Sequence, residues 1–104
     1  MEELKKLQKW YEDQCNGDWE HQYGVSINTL DNPGWTVMID LNDTPLNNKQ
    51  FETVAEGVGE KSIPESNNWI ECKIENNQFV GVGGPDKLER IIEIFLNWAN
   101  NTNL

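Results

Sequence analysis

Histidine is nearly missing from this chain, with a single residue, and cysteine is limited to two. Cys15 and Cys72 are too few for the disulfide framework of a small secreted scaffold, so both are expected as free thiols. No HxxxH, HxxE or CxxC spacing occurs, which leaves the usual metal-ligand patterns without a foothold. No apolar run approaches membrane-spanning length, and the opening Met-Glu-Glu-Leu-Lys-Lys lacks the apolar stretch of a signal peptide. A soluble cytoplasmic protein is the expectation. Basic residues are also scarce, eight against eighteen acidic ones, for a net charge of -10. Such a field repels nucleic acid and anionic lipid, so neither is expected as a partner. It attracts a basic protein, although acidity also serves solubility alone.

What is present is aromatic: five tryptophans, two tyrosines and three phenylalanines in 104 residues. Disordered chains are poor in such rings, and each buried ring removes a large apolar area from water. The length suits one hydrophobic core, so residues 1–104 are expected to form a single domain.

Leu4, Leu7, Tyr11 and Cys15 recur at three- and four-residue steps, predicting an amphipathic helix from Glu2 to about Gln14, stopped by Gly17, with Trp10 beside the stripe. Tyr23, Val25 and Ile27 alternate with small or polar residues, as do Trp35, Val37, Ile39 and Leu41, which predicts two strands. Their apolar sets share a face only if the connecting loop is odd in length. A three-residue loop, Asn32-Pro33-Gly34, would set Ile27 opposite Ile39 and Val25 opposite Leu41, with Trp35 on the core side. Phe51 to Val58 is read as a third strand between the loop-like stretches around Pro45 and Pro64.

Trp69–Glu75 and Gln78–Val82 form a second hairpin about Asn76-Asn77, pairing Ile74 with Phe79, Cys72 with Gly81 and Ile70 with Gly83. Two glycines on that apolar face leave room for a helix to pack closely. After Gly84, with Pro85 as the first helical residue and Asp86 in the first turn, Leu88, Ile91, Ile92, Phe95, Leu96 and Ala99 trace a second amphipathic helix flanked by Trp98. The expected fold is α+β: an antiparallel four- to five-stranded sheet with N- and C-terminal helices packed on one face.

Only Asp18-Trp19-Glu20-His21 invites a catalytic or metal-binding reading, as a small enzyme or ligand-binding domain. In an extended segment adjacent side chains diverge, so Glu20 and His21 would not converge on one ion. Cys15 is followed by acidic residues, which raise a thiol's pKa when a nucleophile needs it lowered. That argues against sulfurtransferase chemistry. Gly81-Val82-Gly83-Gly84 before a helix resembles an anion-binding turn, but Pro85 removes a donor, Asp86 repels an anion and no P-loop lysine follows. No catalytic residue, metal or cofactor is assigned.

The sheet face away from the helices remains. It would carry Thr36, Met38, Asp40, Trp69, Glu71, Lys73, Glu75, Val80 and Val82, an apolar centre among acids that suits a basic protein, or simply a solvated sheet face. The expected partner-binding residues are Asp18, Trp19, Glu20, Met38, Asp40, Trp69, Glu71 and Glu75. The chain is expected as a monomer or a homodimer.

Leu7-Gln8-Lys9-Trp10-Tyr11, Cys15-Asn16-Gly17-Asp18-Trp19-Glu20-His21-Gln22-Tyr23-Gly24, Thr29 to Trp35, Trp69 to Lys73 and Leu88 to Trp98 together resemble the immunity protein 53 family of bacterial polymorphic toxin systems. The likeness covers nearly the whole chain. It implies a non-enzymatic cytosolic antidote that binds and neutralises a cognate toxin, and it carries no catalytic residues over.

Overall fold

The computed structural model describes residues 2–58 and 67–101. The chain runs α1 (Glu2–Gln14), α2 (Trp19–Gln22), β1 (Val25–Leu30), β2 (Gly34–Asp40), β3 (Val54–Glu56), β4 (Ile70–Glu75), β5 (Gln78–Gly83) and α3 (Leu88–Ala99). The strands form one antiparallel sheet in the order β1-β2-β5-β4-β3. This is the expected α+β fold, with α3 lying on β2, β4 and β5 and α1 packed against α3.

The core follows from strand alternation. Val37, Ile39, Phe79, Ile70 and Cys72 turn to the helix side and are almost fully buried. They meet Ile91, Ile92, Phe95 and Leu96 of α3 and Leu7 of α1. The β4–β5 register is the one read from the sequence, with Ile74 opposite Phe79, Cys72 opposite Gly81 and Ile70 opposite Gly83. Gly81 is the seat of α3, since a Cβ there would run into Ile91 Cγ2. Edge-to-face rings extend the core outward: Phe79 and Trp98 both stand about perpendicular to Phe51, and Trp10 stands perpendicular to Phe95.

Several expectations change. Between β1 and β2 the loop is three residues long, but those residues are Asp31-Asn32-Pro33, with a cis peptide at Pro33. Gly34 belongs to β2, and the register slides by two, pairing Val25 with Ile39 and Ile27 with Val37. A slide of two preserves the faces, so hydrophobic alternation could not separate the alternatives. The third strand is confined to Val54–Glu56. It ends at Gly57, whose φ of 71° is left-handed and where a Cβ would collide with Asn68 O. Gly84-Pro85-Asp86 forms a turn closed by Lys87 N donating to Gly84 O at 3.0 Å, so α3 begins at Leu88 and Pro85 is not its first residue. On α1 only Leu7 is buried. Leu4 and Tyr11, expected in the core stripe, are 45% and 37% exposed.

Candidate functional site

The Asp18-Trp19-Glu20-His21 cluster is a structural clip. Gly17 takes a left-handed φ of 90°, which turns the chain out of α1. Asn16 Oδ1 then accepts the Asp18 and Trp19 amides at 3.0 and 2.9 Å, while Glu20 reaches back to accept the Asn16 and Gly17 amides at 2.9 and 2.8 Å. These four bonds satisfy the amides that lead into a single helical turn, and the segment is helical where an extended one was expected. Amide donors, its own first and then those of Asn16 and Gly17, hold the Glu20 carboxyl below its ordinary range.

The helical turn drives Trp19 inward. Its ring is 3% exposed, edge-on to Trp10 and Tyr11, and its Nε1 donates to Asn42 O at 2.9 Å. Trp19 is therefore a packing residue and is withdrawn from the expected contact set. His21, two helical positions on and about 200° around, is exposed. Among the described residues no three His, Cys, Asp or Glu side chains come together to hold a metal ion. Burial, the dominant cause, pushes the Cys72 thiol up to about 12, far from a reactive thiolate. A cleft of about 420 Å³ between α1 and β1 is lined by Leu4, Leu7, Gln8, Tyr11, Gly24 and Val25, without a carboxylate, imidazole or thiol. The catalytic alternative gains no support from these arrangements.

The opposite side of the sheet has a definite composition. Pairing aligns Asn28, Thr36, Val82, Glu71 and Ala55 in one row across all five strands. The next row holds Ser26, Met38, Val80 and Lys73, and the third holds Asp40, Gln78 and Glu75. Directly opposite side chains lie roughly 5 Å apart, so Met38, Val80, Val82 and Thr36 form one half-buried centre. Trp69 shares Glu71's side, two residues earlier in the chain, and its Cζ2 lies 3.4 Å from where a Gly34 Cβ would stand. Carboxylates surround this centre. Glu71 makes no ion pair among the described residues, whereas Glu75 pairs with Lys73 at 3.2 Å. Asp40 is held in place, accepting from Gln78 Nε2 at 2.7 Å and from Gly24 N at 2.9 Å.

Of the expected contact residues, Met38, Asp40, Trp69, Glu71 and Glu75 thus share one face, while Glu20 sits on α2 and Asp18 at its N-terminal end, with Trp19 turned toward α1. Sequence reasoning missed the polar corner that fixes one end of the sheet. There Asn77 Nδ2 donates to Asn42 Oδ1 at 2.6 Å and to Asn47 Oδ1 at 2.8 Å. The density of asparagines after Leu41 was the available signal.

A family model for immunity protein 53 matches residues 4–100. The chain belongs to the immunity protein 53 family. Membership in an immunity-protein family implies a toxin as the protein to be neutralised. No curated protein and no solved structure matches the chain. Among the described residues no helix is long and apolar enough to cross a membrane.

Proposed function

We propose that this member of the immunity protein 53 family neutralises its cognate toxin by binding it directly, without catalysis, through the uncovered face of the sheet. The observation that carries this reading is the face itself. Met38, Val80, Val82 and Trp69 offer apolar area at the centre, and Asp40, Glu71 and Glu75 surround it. Apolar centre and charged rim are the usual anatomy of a protein interface, and helices already cover the other side. With a net charge of -10, the chain favours a basic toxin, whose approach its field accelerates. Exposed Asp18 adds to that field. Glu20 contributes its charge while its oxygens hold the clip. The setting that fits is the cytoplasm of a toxin-producing bacterium.

Co-purification with the product of the neighbouring upstream gene, followed by an assay of that product's toxicity, tests the proposal. A stable complex in which toxicity is lost is expected. Protection without a complex would contradict direct binding.

A further inference from the structure

The two outer strands of the sheet are not alike. β3 is three residues long and carries Glu56. β1 is six residues long, Val-Ser-Ile-Asn-Thr-Leu, with no charge and no proline. Sheet edges are normally blunted by lysine, inward charges, proline, bulges or brevity, because a row of unpaired amides and carbonyls recruits another strand. β1 has none of these protections. It pairs with β2 alone, and among the described residues no β1 residue makes a hydrogen bond or ion pair beyond that ladder. The ladder alternation identifies which groups are free. Asp40 N donates to Gly24 O at 3.1 Å, so Gly24–Asp40 is a hydrogen-bonded pair, as are Ser26–Met38 and Asn28–Thr36 in turn. The N–H and C=O groups of Val25, Ile27 and Thr29 therefore point away from the sheet.

Beside this edge lies the cleft under α1. The two exposed large apolar side chains of the described residues, Leu4 and Tyr11, both line it, together with Leu7 and Val25. A strand laid along β1 would place alternate side chains on the helix side, where Val25 and Ile27 already point, and so into this cleft.

We infer that β1 and the α1 cleft together form a strand-addition site that takes an extended segment of a foreign protein. That segment carries apolar side chains at alternate positions and basic residues at its ends. The hydrogen-bonding pattern requires extended backbone, and the cleft requires apolar side chains. Charge decides against a second copy of this chain, because two molecules of charge -10 repel one another and the uncharged edge offers nothing to offset it. The inference rests on the toxin-binding reading and extends the contact from the sheet's face around to its edge.

Amide hydrogen exchange on the full chain tests it, measured alone and with the product of the neighbouring upstream gene. On complex formation the amides of Val25, Ile27 and Thr29 are expected to slow by about tenfold or more, since each gains a partner. A complex that abolishes toxicity while these three amides exchange as in the free chain overturns the edge site and leaves direct binding intact. Failure to form any complex overturns both. A free chain that is dimeric in solution, with these amides already slow, would assign the edge to self-association and overturn the foreign-strand inference.

Discussion

Gly81 stands where β5 meets α3, and its missing side chain lets the helix sit down. An alanine methyl would run into Ile91 Cγ2 and crowd Phe79 Cε2 at 3.1 Å. Ile91 and Phe79 are both fully buried and have no room to yield. Gly81→Ala is expected to cost about 1–3 kcal/mol, read as a lower urea midpoint at unchanged slope. This role was legible in the sequence, because the short Asn-Asn turn fixed the opposing pairs. Trp19 was not legible: nothing in a linear reading shows that Asn16 accepts the Asp18 and Trp19 amides while Glu20 accepts those of Asn16 and Gly17. Glu20 supplies a pH test. Its folded carboxyl lies below its unfolded value, so the stabilisation is complete above the ordinary carboxylate range and is lost as pH falls through the folded value. Wild type should melt above Glu20→Gln near neutral pH, and the gap should close as pH falls below the ordinary carboxylate range. A gap independent of pH would show that the carboxylate is not responsible.

At the scale of elements, the β4–β5 turn separates conformational preference from side-chain bonding. Asn76 and Asn77 both have left-handed φ, 52° and 60°, where glycine is favoured. Asn76→Gly should be neutral or stabilising. Asn77→Gly should destabilise by about 1 kcal/mol, because it removes the amide that joins Asn42 and Asn47. Equal melting temperatures for the two variants would contradict that assignment. Strand parity was readable from alternation because a one-residue slip exposes the whole apolar set. The two-residue slide in the first hairpin carries no such penalty, and only the placement of Gly34 inside β2 reveals it. The stripe on α1 was read correctly as a helix and wrongly as fully covered: a period of 3.6 shows which residues share a side, not how far a neighbouring element reaches. That shortfall exposed the Leu4–Tyr11 cleft.

For the molecule as a whole, the proposed function rests on how surface is distributed. Helices occupy one side of the sheet, and the other presents an apolar centre among carboxylates. Its composition was legible from alternation alone; that Asp18 and Glu20 lie at another element was not, because the α2 clip depends on side-chain contacts. Electrostatic guidance should show in kinetics more than in affinity, since rim charges act mainly on encounter. Glu71 and Glu75 are the residues to reverse, as neither supports the fold in the way Glu20 or Asp40 does. The decisive experiment is the association rate with the cognate toxin as a function of ionic strength, for wild type and for the Glu71→Lys/Glu75→Lys variant. The wild-type rate should fall steeply with added salt, and the variant should associate more slowly with a flatter salt dependence. Identical rates with identical salt slopes would show that the acidic sheet face is not where the toxin arrives.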